Sequence, residues 1–229
     1  MGHAVVVPQP RLMGSISVVL GSASPARLRV LRDAGLVPQV LVADLDEDAI
    51  VAAMGDVPPA DVVTRLARAK GEAIVSSIRS DGNPSFEAAR ADGVVLTCDS
   101  MLLLDGELSG KPHTPDVAIA RWKRMRGTSG HLLTGHCVTR LRDGAVESVV
   151  ADHRSTDVAF SDVSDETIAR YVATGEPLKV AGAFTLDGLG GWLLDGITGD
   201  PSSVIGISLP LTRELLARVG VDVTDLWRT

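Results

Sequence analysis

The first half of the chain contains short apolar runs, typical of strands, that alternate with segments whose apolar residues have helical spacing. Apolar runs predict buried strands at residues 16–20 and 94–98, and another short strand at residues 39–43. Apolar side chains at helical spacing predict helices at residues 25–34 and 60–78. Strands that alternate with helices are typical of α/β proteins.

The second half of the chain adds a hairpin to this pattern. Residues 131–141 and 146–160 alternate as paired antiparallel strands, with a turn at Asp143-Gly144. Polar residues predict a loop at 79–92, and mixed glycine and apolar residues predict strands and tight turns at 184–194. Further helices are predicted at residues 115–125, 164–174 and 209–219. We therefore predict an α/β fold with a mixed, partly antiparallel sheet.

Composition and charge narrow the class of protein. The chain has 229 residues, of which 45% are hydrophobic, and its net charge is −7 with no basic block that contains aromatics. These features disfavour a nucleic-acid polymer as a partner. No secretion signal or membrane-length apolar run is visible, and Cys98 and Cys137 lie in apolar runs typical of buried free thiols. We expect a cytoplasmic protein with a flexible tail at residues 1–14 and one domain at residues 15–229.

The loop after the first predicted strand is a candidate anion site. It contains Gly21-Ser22-Ala23-Ser24-Pro25 and opens the first helix, with Ser24 as the expected N-cap. Free backbone N–H groups at a helix start attract anions, and Arg27 adds positive charge. A phosphate group is the ligand that this pattern favours. The alternative is a capped surface helix whose arginines are only solvated.

Four charged side chains elsewhere suit phosphate chemistry. Asp99 follows an apolar strand, where a carboxylate is costly unless it is exposed, paired or bound to metal. Lys111 precedes Pro112, which stiffens the backbone, and a lysine held there is a point charge for phosphate. Glu47 lies in an acidic run and is a suitable Mg²⁺ ligand. Lys70 lies on the polar side of its helix. For each of them the alternative is an ordinary turn, loop or solvated surface residue.

Taken together and in this order, these motifs resemble the Maf family of nucleoside triphosphate pyrophosphatases, also called septum formation inhibitor proteins. The resemblance covers roughly residues 16–218. It rests on the following matches: Leu20-Gly21-Ser22-Ala23-Ser24-Pro25 with Arg27, Asp46-Glu47, Leu66-Ala67-Arg68-Ala69-Lys70, Cys98-Asp99-Ser100, Gly110-Lys111-Pro112, residues 126–135, Glu176-Pro177, Ala181-Gly182-Ala183-Phe184, and residues 199–206.

The resemblance implies an α/β fold of two lobes around a central nucleotide-binding cleft, similar to the inosine triphosphate pyrophosphatases. It implies hydrolysis of a nucleoside triphosphate to the monophosphate and pyrophosphate with a divalent cation, Mg²⁺ or Mn²⁺, and suggests a homodimer and a link to cell-division arrest. The implied roles are catalysis by Asp99 as general base and by Lys111, cation binding by Glu47 and Asp99, and substrate binding by Ser22, Ser24, Arg27, Lys70, Ser100, Lys111 and Asp187.

Departures from the family pattern leave the preferred base open. Ala26 stands where thymidine- and uridine-type members carry the first of two arginines, Ser100 where they carry Thr, and Asp187 where they carry Gln. A carboxylate only accepts hydrogen bonds, whereas Gln also donates.

An alternative function is a nucleotide-binding regulator of septum formation with little hydrolysis. A transferase is a third hypothesis, but the sequence offers no clear second-substrate site.

Overall fold

The part of the chain that the structure describes forms one mixed sheet of seven strands with helices packed on it, which confirms the predicted α/β fold. The computed structural model describes residues 16–80 and 84–228. The strands are β1 Ser17–Leu20, β2 Gln39–Val40, β3 Asp92–Leu104, β4 Glu107–Ser109, β5 Ser129–Arg142, β6 Ala145–Phe160 and β7 Leu194–Thr198. Their order in the sheet is β2-β1-β3-β5-β6-β7, and β4 pairs with the end of β3. β1 runs parallel to β2 and β3, whereas the other pairs are antiparallel.

Helices cover the sheet, and several begin and end where the sequence predicts. The Ser24 side chain caps α1 by accepting from the Arg27 N–H, and Gly35 ends this segment with a φ of +86° that glycine adopts freely. None of the described helices is long and apolar enough to cross a membrane. The helices are α1 Pro25–Asp33, α2 Glu47–Met54, α3 Pro59–Ser80, α4 Glu87–Ala91, α5 Pro115–Met125, α6 Asp165–Ala173, α7 Pro201–Ile205 and α8 Leu209–Arg218.

The strand that carries Asp99 is much longer than predicted. Instead of ending at Cys98, β3 continues to Leu104, so Asp99 lies in the interior of a strand and opposite Gly135 of β5. The reason is tertiary, because β5 supplies hydrogen-bonding partners along the whole of β3. The prediction that Asp99 ends a strand is therefore wrong.

The long strands contribute to different apolar cores along their length. Cys98 of β3 belongs to a core with β1, α1 and α8, whereas Leu102 of the same strand belongs to a core with α5 and α6. A third core packs α3 and α4 against the other face of β1 and β3. Asp99 therefore lies on β3 at the point where one core gives way to the next.

Other local predictions are corrected by the structure. The acidic run is not only a loop, because Asp46 caps α2 by accepting from the Ala49 N–H at 2.9 Å. Residues 79–92 include α4, and the predicted strand at 39–43 shortens to two residues. The predicted tight turns at residues 184–194 are present as a 3₁₀ helix at Leu189–Leu193, whereas a strand begins only at Leu194. The Glu176 carboxylate accepts from the N–H groups of Leu189 and Gly190 at the start of this helix. The predicted tail at residues 1–14 lies outside the described residues.

A buried histidine makes the fold sensitive to acid. His136 is only 2% exposed, its Nδ1 lies 3.0 Å from the Thr134 carbonyl, and its Nε2 accepts from the Ser208 N–H at 2.8 Å. Burial lowers the pKa of His136 from 6.5 to about 4, so the folded protein holds a neutral ring. The unfolded chain binds the proton more readily, and stability is therefore lost as pH falls from 6.5 toward about 4.

We expect wild-type protein to lose about 2 kcal/mol more stability than His136→Gln between pH 7.5 and pH 5. Glutamine does not titrate, so its replacement of His136 removes this part of the pH dependence. Chemical denaturation at both pH values measures the difference. An equally steep loss in the variant would contradict the assignment to His136.

Candidate active site

Three charged residues from separate motifs meet beside the middle of β3. The Lys70 Nζ donates to Asp99 Oδ1 at 2.5 Å and lies 2.9 Å from Glu47 Oε1. Asp99 is only 6% exposed, whereas the Glu47 side chain is 44% exposed. The three residues come from β3, α3 and the first residue of α2. The structure thus joins Glu47, Lys70 and Asp99 into one cluster, the carboxylate–lysine cluster.

Close packing of α3 on the sheet brings Lys70 within reach of Asp99. Thr97 donates its hydroxyl to the Ala67 carbonyl at 2.7 Å, which anchors α3 to β3. A Cβ on Gly135 would lie 2.1 Å from the Val63 carbonyl oxygen, so this strand position admits the helix only as glycine. Gly135 lies directly opposite Asp99, a role that its place in the motif at residues 126–135 does not reveal.

Arg27 braces the site more than the sequence suggests. Its Nε donates to the Gly206 carbonyl at 2.8 Å, and one terminal nitrogen donates to Ser22 Oγ at 3.1 Å and the Cys98 carbonyl at 2.9 Å. The other terminal nitrogen donates to Ser100 Oγ at 3.1 Å. Arg27 therefore holds the first loop, the residues on both sides of Asp99 and the end of α7. Four of the five guanidinium N–H groups are used, which leaves one for a phosphate oxygen.

The predicted serines belong to the same network. Ser22 Oγ also accepts from the Ser24 N–H at 3.2 Å, which closes the first loop on itself. Ser100 Oγ lies 3.1 Å from Thr134 Oγ1, and the Thr134 hydroxyl is 3.3 Å from the Ser203 carbonyl. These bonds fix the loop and the strand side by side before any ligand binds. The sequence predicts Thr134 only as part of the motif at residues 126–135, because the residues next to a buried threonine do not show that it belongs to a site.

Two predicted residues lie apart from the carboxylate–lysine cluster. Lys111 is exposed and forms no ion pair with the described residues. The backbone beside it is held in place, because Arg121 and Gly182 both donate to the Gly110 carbonyl. Asp187 instead forms an ion pair with Arg29 of α1. Neither side chain contacts Asp99 in the part of the chain that the structure describes. Their roles stay predictions.

The thiol next to Asp99 lies in surroundings that favour its neutral form. Burial raises the pKa of Cys98 to about 12, although the nearby charges of Arg27 and Lys70 act to lower it. A thiol needs its anionic form to react. Cys98 and Cys137 are both buried and free, as predicted.

The donor set of the cluster fits a divalent cation that is shared with a ligand. No group of three or more His, Cys, Asp or Glu suited to a metal occurs within residues 16–80 and 84–228. Two carboxylates, Glu47 and Asp99, nevertheless converge on one nitrogen. Mg²⁺ typically uses one or two carboxylates and completes its octahedron with water and substrate phosphates. These residues match that pattern.

Comparison with known proteins agrees with this geometry. The family model described as Maf-like protein matches residues 17–219. Proteins named nucleoside triphosphate pyrophosphatase are 59% identical in Nocardia farcinica, over 93% of this chain and 97% of that protein, and 57% identical in Rhodococcus jostii, over 92% and 96%. A crystal structure of a nucleoside-triphosphatase, dITP/XTP pyrophosphatase, from Mycobacterium abscessus matches 89% of this chain and 94% of its own with 12% identity and a TM-score of 0.30. This last similarity is too low to support a fold assignment. The family match and the relatives show that this chain belongs to the Maf-like protein family.

Proposed function

We propose that this protein hydrolyses a nucleoside triphosphate to the nucleoside monophosphate and pyrophosphate. The observation that carries the proposal is the carboxylate–lysine cluster of Glu47, Lys70 and Asp99 beside the braced first loop. The names of the relatives from Nocardia farcinica and Rhodococcus jostii support the same reaction.

Asp99 is the proposed general base. Water attacks the α-phosphorus, its proton passes to the Asp99 carboxylate, and the bond from the α-phosphorus to the bridging oxygen breaks to release pyrophosphate. Phosphoryl transfer depends mainly on positioning and charge neutralisation. Asp99 meets the first need because it lies within β3, pairs with Gly135 of β5 and follows a carbonyl that Arg27 holds.

The chain supplies concentrated positive charge for an anionic substrate. The protein has a net charge of −7, so a triphosphate requires a local cationic site. Lys70 belongs to the cluster, and Arg27 binds the Cys98 carbonyl and the Ser100 hydroxyl on either side of Asp99. The exposed Lys111 is the proposed further phosphate contact. Glu47 and Asp99 would hold Mg²⁺ or Mn²⁺, which when bound neutralises phosphate charge and makes a bound water more acidic.

Asp187 is proposed to contact the nucleobase. Its carboxylate accepts from Arg29 and can only accept hydrogen bonds, so a base would bind it through N–H groups. The loop that carries it is rigid, because the Glu176 carboxylate accepts from the N–H groups of Leu189 and Gly190 at 3.0 Å each. Bases that present N–H groups on this side are therefore favoured.

A panel of common, methylated and deaminated nucleoside triphosphates tests the reaction. We expect pyrophosphate and monophosphate in equal amounts from selected nucleotides, with Mg²⁺ or Mn²⁺ present and with chelator abolishing turnover. Release of single phosphate groups would contradict the proposed bond cleavage. Nucleotide binding without any release across the panel would instead favour the regulator hypothesis.

A further inference from the structure

The Lys70 ammonium occupies the space between the two carboxylates proposed as cation ligands. Its Nζ is within hydrogen-bonding distance of both, at 2.5 Å from Asp99 Oδ1 and 2.9 Å from Glu47 Oε1. A divalent cation is held by the same kind of oxygen atoms, and it is repelled by an ammonium a few ångströms away. Lys70 and a cation therefore compete for one place.

Shielding from water strengthens this competition. The side chains of Lys70 and Asp99 are 16% and 9% exposed, so solvent screens their charges less than it screens an ordinary surface pair. With the ammonium present, the carboxylate–lysine cluster carries one net negative charge, and without it the charge doubles. The attraction for a divalent cation rises accordingly.

Lys70 also sets where Glu47 lies. Glu47 is the first residue of α2, and no residue of this helix is buried. Asp99, by contrast, lies within β3, where it pairs with Gly135 of β5. The ion pair to Lys70 is therefore a specific contact that draws the start of α2 toward Asp99.

We infer that Lys70 excludes divalent cations from the nucleotide-free protein and gives up this place when a phosphate chain arrives. The chain's negative charge competes for the ammonium, which moves from the carboxylates to phosphate oxygens and frees Glu47 and Asp99 as ligands. Lys70 is then a positioning residue that makes cation binding depend on substrate. The inference rests on the proposed function, because it takes a phosphate chain as the ligand.

The test measures Mn²⁺ binding to nucleotide-free protein by electron paramagnetic resonance of the free ion. We expect Lys70→Met to bind Mn²⁺ at least about tenfold more tightly than wild type, because it removes the competing charge at nearly constant side-chain volume. Lys123→Met is the matched control, since Lys123 forms a comparable ion pair with Asp165 at 3.0 Å on the surface. Adding Glu47→Gln to Lys70→Met should return the affinity to the wild-type value.

An unchanged Mn²⁺ affinity in Lys70→Met, or an equal gain in Lys123→Met, would overturn the inference. Lys70→Gln provides a second neutral variant if the Met variant does not fold, as judged by thermal melting. Inorganic tripolyphosphate should then enhance Mn²⁺ binding to wild-type protein more than to the variant. Equal enhancement in both would contradict the release of Lys70 by a phosphate chain.

The outcome is separable from that of the proposed reaction. Mn²⁺ binding requires no turnover, and pyrophosphate release by wild-type protein is measured independently. Turnover by wild-type protein without tighter Mn²⁺ binding in Lys70→Met would contradict the role of Lys70 alone. Tighter Mn²⁺ binding in Lys70→Met, with no pyrophosphate release by wild-type protein, would contradict the proposed reaction alone.

Discussion

Asp99→Asn is expected to lower kcat for pyrophosphate release by about two to four orders of magnitude. That range is the usual contribution of a general base, and an amide does not take up a proton from attacking water. The variant keeps the shape of the side chain, and its amide oxygen still accepts from Lys70. We therefore expect a folded protein that binds the triphosphate but turns it over very slowly.

A matched control separates this loss from a general effect of removing a carboxylate. Asp157 lies on β6, and its side chain is 54% exposed and pairs with His131 at 2.6 Å. Asp157→Asn should keep wild-type kcat, because the exposed Asp157 contacts His131 and not the carboxylate–lysine cluster. Rates from initial velocities at saturating nucleotide, together with melting temperatures, compare the two variants. Wild-type kcat in Asp99→Asn would remove Asp99 from the proposed mechanism.

Gly135→Ala is expected to destabilise the protein by about 3 kcal/mol or more and to lower activity with it. The new Cβ would lie 2.1 Å from the Val63 carbonyl oxygen and 2.3 Å from its carbon, which are backbone atoms of α3 and do not rotate away. The helix must move, and Lys70 moves with it. For a protein of this size, this destabilisation corresponds to a melting temperature lower by about 6–12 °C.

Gly196→Ala is the matched control for this substitution. Gly196 also lies in a strand, β7, but a Cβ there would meet nothing within 4 Å. We expect its stability to stay within about 1 kcal/mol of wild type, because alanine restricts the unfolded chain without creating a clash. Thermal unfolding of both variants measures the contrast. A Gly135→Ala protein as stable as the Gly196→Ala protein would show that α3 yields easily at this contact.

Features that depend on neighbouring residues were predictable from the sequence. The capping of α1 by Ser24 and the turn at Asp143-Gly144 both follow from the backbone preferences of a few adjacent residues. Helix α5 at Pro115–Met125 appears with the predicted bounds, since proline favours its first turn. The order of short motifs indicated the family, and the comparisons confirm it.

The local sequence also misled where a distant segment decides the structure. A polar residue after an apolar run normally marks the end of a strand. β3 nevertheless continues through Asp99, because β5 pairs with the residues before and after it. The glycine-rich residues 184–194 have strand-like composition, but Leu189–Leu193 form a 3₁₀ helix whose first two N–H groups donate to the Glu176 carboxylate. In each case long-range hydrogen bonds outweigh a weak local preference.

The sequence by itself determined the secondary structure of the most regular segments, the family and a set of candidate charged residues. It did so because helix caps, turns and apolar periodicity act within a few residues. Only the tertiary structure decided which partners the charged side chains have. Lys70 forms ion pairs with Asp99 and Glu47, and Asp187 forms one with Arg29. Arg27 donates to the carbonyls of Gly206 and Cys98. Charged groups interact through space over a few ångströms, so their partners depend on how the helices pack on the sheet rather than on spacing along the chain.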